Sequence, residues 1–581
     1  MSSTDDRAPQ PADAVARLAA MTAERDAALA ASYRQRERLQ AEIDRAHRWR
    51  KDKDAQLRRT RLELDKMRRR FAFRAQRKIE SALSSIIDLT RRGSTTPPPT
   101  VDVVPGGDTG DLAGRFRDVM TDRLSGTFAI SDEPVRVAVV RSSRDAARAD
   151  DVRDEVGARL SEFGMVPSTV DGLTDADIGD AIDIAVLRDP TSDIDRLPRH
   201  VIRVAWVGDR PDPWLSMPRF DDLDIVLVGD EATRTRVEVA SAKSASVAAD
   251  PGTPSGAQAF RDAVLRWVAA PHVAIHIGPE TWDAAAFWGD TPFGRGVQKA
   301  FERRGWPATV HVVAEEDSAP ATRADLAIHV FGIGAPVIRP WQTSVLWIIS
   351  HPDMVTRETC MPYDLIAVAS DRFLDYLRGW LGPDGPPLLA LHQATDPDRF
   401  HPEAGGPPHE LLFVGNSRYR RRAILDALAG TTHDLAVYGR NWTADLLDVR
   451  NLRGDWIPND ELRRYYSSAA IVLNDSYPDM RDEGFIANRV YDALASGAFV
   501  ISEAVPGMDE EFDDAVVTFR DRVELLDRID HFLARPDERM ALAEKGRRAV
   551  LGRHTFDHRV GTLMEAVAPL LADRPPDHPP R

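Results

Sequence analysis

The sequence predicts an α/β protein built on parallel sheets and preceded by a long helical arm. Three observations carry that prediction. Residues Asn474 to Ser502, NDSYPDMRDEGFIANRVYDALASGAFVIS, follow the apolar run Ile471-Val472-Leu473 and read as strand, polar loop, helix, strand. That order is one βαβ unit, which implies a right-handed crossover between parallel strands. A plan of short apolar strands separated by helical stretches occurs twice in the middle of the chain. Finally, from Ala14 to about Arg92 no Gly or Pro interrupts a run of good helix formers.

In chain order, residues 1–12 are polar and are expected to be disordered. Residues 13–92 are expected to form a long helix or coiled coil. Val15, Leu18, Leu29, Leu39, Ile43, Leu57, Leu64 and Phe71 mark a broken heptad seam. Such an arm suits a homo-oligomer. It is also strongly basic: Tyr33 to Arg92 holds 20 Lys+Arg against 9 Asp+Glu, a net of +11. The rest of the chain therefore carries −27 of a total of −16, which argues against general nucleic-acid binding. A solvated charged face and a peripheral contact with anionic membrane both fit the arm. Residues 93–125 (STTPPPT, PGGDTG) read as a linker.

Next comes the repeat. Pro134-VRVAVV parallels Pro271-HVAIHI, and Trp206-Val207-Gly208-Asp209-Arg210-Pro211-Asp212 parallels Trp347-Ile348-Ile349-Ser350-His351-Pro352-Asp353. The offset stays between 137 and 141 residues. The second copy carries a glycine-rich segment, Gly289-Asp290-Thr291-Pro292-Phe293-Gly294-Arg295-Gly296, where the first has none, and His351 where the first has Arg210. Residues 130–270 are therefore expected to be a degenerate Rossmann-like domain and 271–395 a working one. A last α/β domain is expected over 408–540, with closing helices over 541–575 that brace the two halves.

The helix after Gly484 holds the first site candidates. Phe485, Asn488, Arg489 and Asp492 lie three and four apart on one face, just past the carboxyl end of a strand. A helix N-terminus there offers free N–H groups to phosphate. Arg489 supplies a fork for phosphate oxygens, and the Asp492 carboxylate can accept two ribose hydroxyls. The alternative is an ordinary solvated face with an Arg–Asp pair. Gly415-Asn416-Ser417-Arg418 follows a strand and opens a helix, a turn through which a diphosphate can approach backbone and a guanidinium. A plain turn beside a basic helix is its rival. His351 ends a buried strand and can orient a donor sugar or an acceptor hydroxyl, or serve as a structural histidine. Gly294, Arg295 and Gly296 are expected to line the cleft on the acceptor side. No Asp-x-Asp and no His/Cys cluster is evident, so neither metal nor cofactor is expected.

These motifs resemble GT-B-fold glycosyltransferases, most closely the CgeB-like (spore-maturation-type) group. The resemblance rests on the Asn-Arg-x-x-acid-Ala-x-Ala-x-Gly helix at Asn488 and the Phe-Val-Gly-Asn-Ser-Arg turn at Phe413. It covers roughly residues 271 to 571. It implies two Rossmann-like domains in a GT-B fold, preceded here by the degenerate copy and the coiled coil. It implies transfer of a sugar from a nucleotide-sugar donor to an acceptor that the sequence does not identify. Glu483-Gly484-Phe485 stands for the Glu-Gly-Phe of the wider group, and Asp492 takes the place of its ribose-holding Glu, one residue further on. The resemblance also places Ile457 beside the nucleobase. With one cysteine, no apolar run of spanning length and no signal peptide in MSSTDDRAPQ, a cytoplasmic protein is expected, with the inner face of a membrane as the alternative place. Two rivals stay open: a non-catalytic GT-B assembly protein with a coiled coil, and a nucleotide-sugar epimerase of the same fold.

Overall fold

The computed structural model describes residues 136–572, apart from 142–158, 160, 162–164, 172–181, 189, 191–193, 195–196, 198–200, 218, 250–252, 286–287, 332–336 and 418–420. The expected arm over 13–92, its lead 1–12 and the linker 93–125 lie outside the described residues.

Three six-stranded sheets follow one another, spanning residues 136–247, 273–390 and 411–519. Every strand pair in them is parallel. Counted along the chain within each sheet, the first two share the order 2-1-3-4-5-6, and the third has 3-2-1-4-5-6. The strands are short, β-branched-rich and buried on both faces, as crossover helices require. In the first sheet Ala138, Leu187, Ala205 and Val226 pack to one side, and Val137, Ile184, Val204 and Leu227 to the other. In the second sheet Ile275, Ile328 and Trp347 meet the helix Asp290–Glu302 and the last helix, Phe556–Ala572.

Two local expectations change. The glycine-rich segment is not a loop: Gly294, Arg295 and Gly296 lie inside the helix Asp290–Glu302. Their roles are in packing. A Cβ on Gly294 would meet Ile277 at 3.1 Å, and one on Gly296 would lie 2.4 Å from the Phe556 ring. Missing side chains there let the helix approach both the sheet and the returning C-terminal helix. The polar loop after Asn474 contains a short helix, Pro478–Asp482, started by a proline whose fixed φ suits the first helical turn.

The first sheet docks onto the second through charged groups. Lys243 pairs with Glu302 in a buried contact. Arg295 donates to Asp222 at 3.0 Å and stacks 5.0 Å from the Trp282 ring, so it points toward the first sheet. Arg323 reaches Asp224 at 3.4 Å.

Three histidines stand side by side on adjacent strands of the second sheet: His276 pairs in register with His311 and with His329. The His276 and His329 rings stack at 4.6 Å, and none of their ring nitrogens has a hydrogen-bond partner. Burial holds His276 well below the usual imidazole range and His329 down to about 4, and the Arg339 charge lowers both further. Both are neutral in the folded protein and would bind protons below about pH 6.5 once unfolded. Their contribution to stability is thus level above pH 7 and falls as the pH drops from about 6.5 toward 4, by roughly 3 kcal/mol for His329 alone. In thermal unfolding, the change in Tm from pH 7.5 to pH 5 should be less unfavourable in His329→Leu than in wild type. Equal pH sensitivity in wild type and variant would contradict the assignment.

Candidate functional site

In the third sheet the first strand, Leu411–Val414, pairs with the fourth, Ile471–Asn474. The chain order reverses there, and the carboxyl ends of these strands deliver Gly415-Asn416 and Asp475-Ser476 side by side. Ligands of open parallel sheets bind at such a point. The carboxyl edge of the second sheet faces it and contributes Phe293, Ile349, Ser350 and His351. Between them lies a cleft of about 690 Å³, within the usual range for a small-molecule site.

The floor of the cleft on the third-sheet side is a tight backbone crossing. Gly439 has φ 151°, and a Cβ there would stand 2.1 Å from the carbonyl oxygen of Gly415. Gly415 accepts the Trp442 indole N–H at 3.0 Å, and Asn416 Oδ1 accepts the Arg440 backbone N–H at 2.8 Å. A Cβ on Gly415 would meet Arg489 at 2.9 Å, so the glycine is what lets that guanidinium lie against the turn.

Two arginines meet at Phe413, with guanidinium carbons 5.4 Å (Arg422) and 5.2 Å (Arg489) from its ring centre. Their charges are handled differently. Arg422 forms a buried bidentate pair with Asp475, which raises its pKa against the opposing effect of burial. Arg489 donates to the neutral Asn474 amide at 2.7 Å, and Asn474 in turn donates to Ser502. Among the described residues no carboxylate forms an ion pair with Arg489. Burial lowers its pKa and the neighbouring Arg422 charge adds to that. It also sits in the first turn of the helix Asn488–Ala495, where the helix dipole disfavours a cation. A cation so placed has its guanidinium available to an anion entering the cleft.

On the opposite wall His351 takes φ 54°, a left-handed backbone unusual for a non-glycine residue, and its ring lies 6.5 Å from that of Tyr477. Its imidazole, Asp353 and Asp479 bring one ligand-type atom each to within 4.8 Å of one another. Asp479 stands far along the chain from His351 and Asp353, so no local spacing in the sequence reveals the grouping. Burial and the Asp479 charge raise the pKa of Asp353.

The structure brings His351, Gly415, Asn416, Asn488 and Arg489 together on the cleft. Arg418 is outside the described residues. Asp492 is set back from the cleft: its Oδ1 accepts the Thr395 hydroxyl and its Oδ2 the Asn488 amide, each at 2.8 Å. Burial pushes its pKa up to about 7. Glu483 is directed outward, 4.0 Å from Arg372, and its carbonyl accepts from Ser370. Ile457 is buried off the cleft lining, and Gly294, Arg295 and Gly296 serve packing and docking as described above. Arg422, Asp475, Tyr477 and Asn441 line the cleft without having been singled out. Arg422 was masked by its position in Arg420-Arg421-Arg422, which reads as a basic surface helix.

Two parallel sheets thus turn their carboxyl edges toward each other across one cleft, the edge at which ligands of open parallel sheets bind. Residues 420–565 match the family described as Glycosyl transferase-like. No curated protein matches the chain. Similar solved structures include three enzymes. Sucrose-phosphate synthase from Thermosynechococcus elongatus is 14% identical, with 76% of this chain and 100% of that one covered and a TM-score of 0.35. The trehalose-6-phosphate synthase OtsA is 11% identical, with 52% and 99% covered and a TM-score of 0.39. A glycosyltransferase from Rickettsia africae ESF-5 is 10% identical, with 76% and 99% covered and a TM-score of 0.33.

Substituting Gly439 by alanine should destabilise the protein by about 2 kcal/mol or more, because its backbone is outside the range of L residues and its Cβ would strike the Gly415 carbonyl. Gly430, with φ 79° and no atom within 4 Å of a built Cβ, is the control. Gly430→Ala should cost only about 1 kcal/mol of backbone strain. Equal losses in chemical denaturation would refute the close approach at Gly439.

Proposed function

We propose that the chain is a glycosyltransferase that takes a sugar from a nucleoside-diphosphate donor and passes it to an acceptor bound from the second-sheet side. The observation that carries this reading is Arg489: a cation with no carboxylate partner, beside a glycine turn, at a helix N-terminus, in a domain of the glycosyl transferase-like family. In the reaction the bond from the anomeric carbon to the diphosphate oxygen breaks. The leaving diphosphate keeps the electron pair, and the acceptor hydroxyl oxygen forms the new bond and releases its proton. The developing charge on the diphosphate meets the Arg489 guanidinium and the backbone at Gly415-Asn416. A preset cation stabilises that charge without the reorganisation that water would need. Arg422 is already neutralised by Asp475, and its part is to hold the floor of the cleft. His351 faces the reacting centre from the other wall, where an imidazole can orient a hydroxyl.

Calorimetry with UDP, GDP and ADP tests the donor half of this reading. Wild type should bind at least one of them, and Arg489→Gln should weaken it about tenfold or more. Mass spectrometry of donor-sugar incubations tests the transfer half. There His351→Ala should lower turnover clearly, while Arg210→Ala should leave it within error, because the Arg210 side chain is 90% exposed. Absence of binding to all three nucleotides would overturn the reading.

A further inference from the structure

The helix Asn488–Ala495 begins in the cleft and ends in the core of the third-sheet half. Asn488 lines the cleft. Its Nδ2 is committed to Asp492 Oδ2 at 2.8 Å, and its Oδ1 has no protein partner. Asp492 accepts at both oxygens, from Thr395 and from Asn488, and this pairing turns the NH2 end of the Asn488 amide toward it. The end left over is an acceptor, suited to a hydroxyl or amine of a ligand.

The other oxygen of Asp492 leads elsewhere. It accepts the hydroxyl of Thr395, a fully buried residue of the segment that joins the second and third sheets. Thr395 is fixed by backbone bonds to the second crossing between the halves: its N–H donates to the His554 carbonyl at 3.0 Å, and its carbonyl accepts from the Phe556 N–H at 3.1 Å. The next residue, Asp396, takes the Lys299 ammonium of the second half at 3.3 Å. An unbroken chain of hydrogen bonds thus runs from a cleft amide, through one carboxylate, to the place where both chain crossings meet.

We propose that Asp492 is a positioning residue: it sets the Asn488 amide with its carbonyl oxygen free for a hydroxyl of the donor, and through Thr395 it ties that setting to the crossover joining the two halves. The inference rests on the donor reading above. It differs from a direct ribose contact by Asp492, because it assigns an effect on donor binding to Thr395, a residue that no ligand in the cleft reaches.

The test uses the full chain and whichever of UDP, GDP or ADP the wild type binds. Asp492→Asn and Thr395→Val should each weaken binding about tenfold, and the double variant should be no weaker than Asp492→Asn alone. Thr395→Ser keeps the hydroxyl and should bind as wild type does. Full affinity in Thr395→Val beside a loss in Asp492→Asn would overturn the proposal in favour of direct contact, and so would full affinity in Asp492→Asn. A second measurement needs no ligand. Amide hydrogen exchange over Asn488–Ala495 should quicken several-fold in Thr395→Val and not in Thr395→Ser, and unchanged exchange in Thr395→Val would also overturn it. If the wild type binds none of the nucleotides, the donor reading fails, while the exchange result still decides the tether.

Discussion

The cleft depends on how two chain crossings are fastened to each other. One crossing is the segment after Ala390, and the other is the junction between the helices Pro536–Arg553 and Phe556–Ala572. They pair as a short parallel bridge at Thr395 and Thr555. Beside that bridge Glu511 gathers four partners. His392 Nδ1 lies at 2.7 Å, His554 Nδ1 at 3.0 Å, the Tyr491 hydroxyl at 2.9 Å and the Arg559 guanidinium at 3.4 Å. These contacts hold the Glu511 carboxyl far below the usual carboxylate range although burial opposes it. The same carboxylate raises the pKa of His392. A buried carboxylate is costly unless its lone pairs are occupied, and here one residue from each crossing, Arg559 of the last helix and Tyr491 of the Asn488–Ala495 helix occupy them. The relative placement of the two cleft walls is therefore fixed by polar groups at the hinge, while the cleft itself stays open for a ligand.

Much of the fold was legible because parallel sheets write themselves plainly. Apolar runs such as Ile471-Val472-Leu473 and Ala498-Phe499-Val500-Ile501 are too short for helices and too apolar for half-exposed strands. The end of the Asn488–Ala495 helix is legible in Gly497, which stands just past the C-cap Ser496 and has a φ of 78°, the left-handed value that glycines there use. Asn488 and Arg489 were found for a sound reason, helical spacing beyond a strand end. Asp492 shared that spacing, yet one turn along the helix carries it from the cleft wall to the hinge. A face shared in sequence does not distinguish those depths.

What stayed hidden in the sequence depends on three-dimensional neighbours. Glycines in a β–α connection suggest a ligand loop, and the same residues inside a helix suggest close packing. Gly294 and Gly296 belong to the second case because Ile277, Val310 and Phe556 occupy the space a side chain would take. Arg422 and Arg489 look equivalent as isolated cations. Only the position of Asp475, 53 residues from Arg422 along the chain, makes one a structural ion pair and leaves the other available.

The helix Asp290–Glu302 shows why the first sheet cannot be treated as a removable appendage. Its outer face sends Arg295 to Asp222, Gln298 to the carbonyl of Asp221 and Glu302 to Lys243, all in the first sheet's unit. Its other face receives Phe556, which packs edge-on against Phe293 at 5.1 Å. The helix is thus held between the first sheet and the returning C-terminal helix, and its first turn, at Asp290 and Phe293, forms part of the cleft wall. Burial already raises the pKa of Glu302 in the presence of Lys243. Without the first sheet, Glu302 and Arg295 would lose their partners, and an unpaired charge in such a site costs several kcal/mol or must be neutralised. The cleft wall is thus supported by a sheet none of whose described residues lines the cleft. In the first copy of the repeat Arg210, where the second copy has His351, stands in solvent, while Asp221, Asp222 and Lys243 hold the Asp290–Glu302 helix.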